Sequence, residues 1–292
     1  MASLFGSLIF LLCSLLSLQR CLQLSEAHVK DLHKHVPFDH MRAATDHGDN
    51  HLQSRVENGD ENQGVDPEMN VFFHHDDLVI GKRIPIYFPR KDPPSASPRF
   101  LSREESDSIP FSTAQFPEIL EFFSFPSDSK QAKAMKMTLH HCEAKPIRGE
   151  TKICATSLES MLDFVNSVFG PGSKFKVLNT EYLNESISTL QNYTVHDDPS
   201  EIPASELVSC HRLPYPYAVF YCHAQVGDNV LYKVLVEGDD GGKVEAGAIC
   251  HMDTSQWDPK HAGFRVLKTR PGAAPVCHFF PIDSLVFIPK SS

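Results

Sequence analysis

Four Cys-His dipeptides stand in the last third of the chain, Cys210-His211, Cys222-His223, Cys250-His251 and Cys277-His278, separated by 10, 26 and 25 residues. A thiol beside an imidazole serves a disulfide frame, a metal site or both, and the redox compartment decides between them. Each pair falls within or at the end of a β-like run, and successive side chains on a strand point to opposite faces. A cysteine that faces the core or a disulfide therefore turns its histidine the other way. This disfavours a shared Cys-His zinc site, because adjacent residues rarely reach one tetrahedral ion and an oxidised cysteine is no thiolate. It permits two layers instead, a disulfide frame on one face and His211, His223, His251 and His278 on the other. Imidazoles without thiolates suit Cu(II) or Zn(II). Any one of these histidines alone reads as a hydrogen-bonded core or surface residue, whereas four at repeated spacing read as a converging ligand set.

The N-terminus supplies the compartment. Leu8 to Leu18 are almost continuously apolar, long enough for the core of a secretory signal but short of the roughly 20 residues that a membrane span needs. Residues 1–23 read as that signal, with Ser25-Glu26-Ala27 allowing cleavage as late as residue 27. No later segment approaches a membrane span, so the mature product is expected to be soluble. Cys13 and Cys21 leave with the signal, and the remaining six of the 8 cysteines are an even number in an oxidising lumen, which favours three disulfides. Cys142 and Cys154 flank the polar segment EAKPIRGETKI, which can fold back, and are the expected pair. Cys210, Cys222, Cys250 and Cys277 are left to pair among themselves, in an order that spacing does not give. Asn184 and Asn192 open Asn-X-Ser/Thr sequons and are glycosylation candidates. The net charge of −10 argues against a nucleic-acid-binding surface.

Residues 24–70 are polar and acidic, with six histidines, and read as a flexible linker or propeptide that cannot bury enough surface to order itself. Order is expected from Val71, with two short strands and a turn around Gly81. Ser102 and Glu105 have capping-box spacing at the start of a helix that Pro110 stops, and residues 129–142 read as a second helix. The clearest helix runs from Thr156, taken as its cap, to Phe169, with Leu158, Met161, Leu162, Val165, Val168 and Phe169 as one apolar stripe. From Lys174 the pattern turns to β, in KFKVLN, YAVFYCH, NVLYKVLVE, KVEAGAICH, FRVLK, PVCHFF and SLVFI, with Gly238 to Gly242 as a hairpin turn. The expected class is α+β, helices first and a mainly antiparallel, disulfide-stabilised sheet second, carrying the four Cys-His motifs.

Other candidates carry less. Asp76-Asp77 and Asp239-Asp240 read as solvated acids beside a strand and in a turn. His74-His75 and His140-His141 read as exposed, and Tyr215 and Tyr217, each preceded by proline, read as strand-edge packing or a peptide or sugar contact. No Gly-rich phosphate loop opens a helix, and GxSxG is absent.

FFHHDDL from Phe72, CATSLESMLDFV from Cys154, CHRLPYPYAVFYCH from Cys210, CHMDTSQWDP from Cys250 and PVCHFFP from Pro275 resemble the signature of the BURP-domain family of plant secreted proteins, over residues 71–290. The short, repeat-free N-terminal segment is similar to the embryo and unknown-seed-protein branch. The resemblance implies two kinds of function. Many members are non-enzymatic proteins of the cell wall or protein storage vacuole, tied to seed development, stress or pectin metabolism. Others are copper-dependent peptide cyclases that crosslink Tyr or Trp side chains, and in these the Cys-His histidines hold copper, a role that transfers to His211, His223, His251 and His278. Residues 24–70 contain no Tyr or Trp, which argues against self-cyclisation, and Trp257 is expected to be packed as structure. The expected function is therefore an accessory protein of seed or embryo, in the storage vacuole or wall, whose partners would be proteins associated with wall polysaccharide. The alternative is a copper oxidase acting on a separate substrate peptide.

Overall fold

Alternation of apolar and polar residues along KVEAGAICH and NVLYKVLVE gives each strand one face for each of two cores, and the fold is built on that division. The structure, a computed structural model, describes residues 70–89, 98–146, 149–184, 188–204, 206–225 and 227–290. The signal and linker assignments lie outside the described residues except for Asn70. The elements below belong to the compact unit formed by residues 47–91 and 100–292.

The larger sheet has eight antiparallel strands. Its path runs β1 (Phe72–Phe73), β12 (Val276–Phe279), β11 (Lys243–His251), β10 (Asn229–Gly238), β6 (Leu190–Val195) and β2 (Arg83–Tyr87); β5 (Glu181–Tyr182) pairs with β11 and β7 (Ser200–Ile202) with β10. The smaller sheet has five strands, in the order β3 (Glu150–Ala155), β9 (Val219–Gln225), β8 (Val208–Leu213), β13 (Leu285–Pro289) and β4 (Phe175–Leu178). The α+β class stands, but strands come before the helices and there are two sheets rather than one. The strands flanking Gly81 do not pair with each other, because β1 joins β12 and β2 joins β6.

Register shows which faces meet. Leu231 and Ile249 of the larger sheet pack with Phe280, and with Val286 and Ile288 of the smaller, forming the core between the sheets. The far face of the larger sheet carries Val234, Val236, Val244, Ala246, Ala248, Cys250, Cys277 and Phe279 in a second core. Gly247 faces inward, where a Cβ would come within 3.2 Å of the Leu178 and Phe280 side chains.

The helices cap as polar side chains dictate. Ser102 and Glu105 close a reciprocal box on α1 (Arg103–Asp107). Ser129 caps α3 (Lys130–Glu143), whose Ala132, Met135 and Leu139 pack with Ile119 and Leu120 of α2 (Phe116–Phe123) and with Tyr215, Tyr217 and Val219. The two tyrosines are therefore core residues beneath helices, not an exposed binding strip. In α4 (Leu158–Phe169) the cap is Ser157 rather than Thr156, because Ser157 Oγ accepts from the Ser160 amide at 3.1 Å and the Ser160 side chain reciprocates. FRVLK is not a strand. Phe264 to Leu267 lie in α5 (Ala262–Leu267) and Lys268 is its C-cap; the helix is capped at its start by His261, whose Nδ1 accepts from the Gly263 amide at 3.1 Å, and anchored by Phe264 against Trp257 and Val276.

Candidate functional site

Register also pairs the cysteines. Cys210 lies opposite Cys222 across β8 and β9, Cys250 opposite Cys277 across β11 and β12, and both pairs are disulfides. The third disulfide joins Cys142, near the end of α3, to Cys154 in β3, as expected from the segment between them. All six cysteines among the described residues are oxidised, so none of them is a thiolate ligand.

The alternation then turns the four adjacent histidines toward the space between the sheets. His211 and His223 share a face with Val286, through the pairings Ser209↔His223 and Val286↔Ser209. His278 and His251 share a face with Ile249, through Ile249↔His278. Nε2 of His223 is 3.4 Å from Nε2 of His211; the His211 and His278 ring centroids are 6.3 Å apart, and those of His278 and His251 5.6 Å. The imidazoles form one contiguous row, His223, His211, His278, His251, with Phe280 packed against its middle two.

Each Nδ1 looks outward to a different neighbour. His251 Nδ1 donates to Asn229 Oδ1 at 2.7 Å and His278 Nδ1 to the Phe279 carbonyl at 3.3 Å, so in both rings the neutral tautomer leaves an Nε2 lone pair. His211 Nδ1 is 3.2 Å from Ser284 Oγ, which can donate or accept. His223 Nδ1 is 3.2 Å from Glu150 Oε1, off the line of a good hydrogen bond. Burial drives His211 and His251 well below the ordinary imidazole value, with neighbouring imidazoles adding to the effect. It lowers His278 to about 4, against the pull of the Phe279 carbonyl. Burial thus favours the neutral form of His211, His251 and His278, the form in which imidazole binds metals.

Two Nε2 atoms 3.4 Å apart can both sit roughly 2 Å from one ion. Among the described residues no three His, Cys, Asp or Glu side chains stand at the spacing of a single ion's ligands. The arrangement is therefore one close pair, His211 and His223, continued by His278 and His251, and the donor chemistry fits Cu(II) or Zn(II).

Several neighbours carry no motif of their own. Tyr221 stands between His223, at 5.1 Å between ring centroids, and His141, at 4.3 Å, and its hydroxyl donates to Glu150 at 2.6 Å. Trp257 is buried, with its ring 4.8 Å from His251 and 4.5 Å from His261. The only advance signal for Tyr221 is its position two residues before His223, hence on the same strand face. Glu150 and Ser284 join through tertiary register, which spacing does not reveal.

The weaker candidates stay apart. Asp77 pairs with Lys82 at 2.9 Å and Asp239 with Arg83 at 2.6 Å, while Asp240 holds the β10–β11 turn through Gly242 and Gln191. His75 meets the Tyr232 hydroxyl at 3.1 Å. Asn184 and Asn192 are exposed, and their side chains contact Gly241 and Asp239.

A family model for the BURP domain matches residues 71–289. The chain belongs to the BURP-domain family. It is 44% identical over 230 residues to the BURP domain protein USPL1 of Arabidopsis thaliana, covering 77% of this chain and 82% of that protein. The BURP domain-containing protein BNM2A of Brassica napus is also 44% identical over 230 residues, covering 77% and 81%. The BURP domain protein RD22 of Arabidopsis thaliana is 40% identical over 223 residues, covering 76% of this chain and 56% of its own length. The disulfides of this BURP domain accord with an oxidising compartment, and no described helix is long and apolar enough to cross a membrane.

Proposed function

We propose that this BURP domain is a copper-holding protein of the secretory pathway, serving seed or embryo tissue as an accessory protein of the storage vacuole or cell wall. His211 and His223, the close pair, would hold the ion, with His278 and His251 continuing the row beside them. The observation that carries this reading is the division of labour across the strands, with oxidised cysteines on the faces turned away and a contiguous row of imidazoles between the sheets. Metal analysis of protein purified from a secretory host tests it: copper or zinc is expected, and protein that neither retains nor takes up either ion would remove the metal from the account.

The partial solvent exposure of His211, His223 and His278 supports a second reading, a copper oxidase that crosslinks Tyr or Trp side chains of a separate peptide. Bound Cu(II) would supply one-electron oxidation, while this chain's own contribution is to line up the imidazoles and leave part of the row reachable. Incubation of the copper-loaded protein with Tyr- and Trp-containing peptides distinguishes the readings. Crosslinking removes two hydrogens as two protons and two electrons, with dioxygen or a second equivalent of Cu(II) required as the further electron acceptor, and mass spectrometry detects the loss; unmodified peptides favour the accessory role.

A further inference from the structure

Glu150 opens β3 with its side chain only 7% exposed. A buried carboxylate is unfavourable unless hydrogen bonds and opposite charge offset it. The Tyr221 hydroxyl gives Glu150 Oε1 one short hydrogen bond, 2.6 Å long, but no charge. Lys152, on the same strand face, feels Glu150 electrostatically, yet its Nζ is committed to the His141 carbonyl at 3.0 Å and lies over the Tyr221 ring. Also close is the His223 imidazole, whose Nδ1 stands 3.2 Å from the same carboxylate oxygen and whose Nε2 faces His211. That Nδ1 is buried and makes no hydrogen bond of good geometry, and the nearby carboxylate oxygen is the acceptor at close range. A carboxylate on the outer nitrogen of an imidazole fixes the ring and raises the basicity of its inner nitrogen.

We infer that Glu150 is the positioning carboxylate of the histidine row: it aims His223 Nε2 at a divalent transition-metal ion shared with His211 and offsets that ion's charge, while Tyr221 anchors the carboxylate. This rests on the metal reading above and adds the residue that sets affinity. Asn229 performs the orienting task for His251 without supplying charge, so the two ends of the row differ in kind.

The test uses the full secreted, disulfide-bonded protein, with Cu(II) affinity measured by chelator competition and the ligand field by electron paramagnetic resonance. Glu150→Gln should weaken binding about 10- to 100-fold and alter the Cu(II) spectrum. Glu150→Asp, which keeps the charge, should recover part of the loss, a rescue that a packing role would not give. Glu150→Gln binding within twofold of the parent, with an unchanged spectrum, would overturn the inference. If Glu150→Gln fails to fold, Tyr221→Phe removes only the anchoring hydroxyl: threefold or greater weakening supports the inference and unchanged affinity overturns it. A parent protein that takes up no Cu(II) overturns the metal reading, and this inference with it, whereas a binding parent with indifferent variants overturns this inference alone.

Discussion

Acidifying the metal-free protein should unfold it in a window set by the buried imidazoles. In an unfolded chain histidine titrates near 6.5, whereas burial lowers His278 to about 4 in the folded domain. Between those values the unfolded state binds a proton that the folded state refuses. The contribution of His278 to stability is therefore full above pH 6.5, is lost as pH drops through the window, and levels off below about 4, where its folded form also accepts the proton. At about 1.4 kcal/mol per unit, His278 alone accounts for about 3 kcal/mol across the window. His211 and His251 are lowered by the same burial and act in the same direction. Against a typical total of about 5–15 kcal/mol, this brings the domain close to unfolding. Urea unfolding in the presence of chelator at pH 7, 6 and 5 would show the midpoint falling, and His278→Gln should flatten the slope by one group's share. A midpoint that is constant or rises between pH 7 and pH 5 would refute the claim that burial holds these imidazoles neutral.

Removing the α4 cap by Ser157→Ala should cost about 1 kcal/mol in urea unfolding, while Thr156→Ala should change little, because the hydrogen bond to the Ser160 amide belongs to Ser157. His261 spends its Nδ1 lone pair on the Gly263 amide; His261→Ala should lose about 1 kcal/mol or more, His261→Asn should recover part of it, and neither should abolish Cu(II) uptake. Replacing both Cys142 and Cys154 with Ala should lower stability by about 3 kcal/mol through the freed loop, read by the same unfolding assay.

The elements legible in the sequence were those whose cause is local. The apolar stripe of α4, the box at Ser102 and Glu105, and the alternation in β10 and β11 depend on neighbours within a few residues. FRVLK misled because a short apolar run reads as strand or helix, and its deciding contacts, the His261 cap and the packing of Phe264 on Trp257 and Val276, are tertiary. The same limit applies to the site. Adjacency of Cys and His implied opposite faces, and the strands carry that implication through. Spacing could not reveal that Cys210 would meet Cys222, or that the inward faces of two sheets would bring His211 beside His278, because period two says which residues share a face and not which faces meet. Glu150 has no motif at all; it reaches His223 only through the register that sets Lys152 opposite His223.

The most direct test of the central claim is a Cu(II) titration of the parent protein beside the double variant His211→Ala, His223→Ala, with non-reducing peptide mapping of both. Tight Cu(II) binding is expected in the parent, its loss in the double variant, and the same three disulfides with no free thiol in each. Undiminished Cu(II) binding after removal of the 3.4 Å pair, or no binding in a correctly bonded parent, would contradict it.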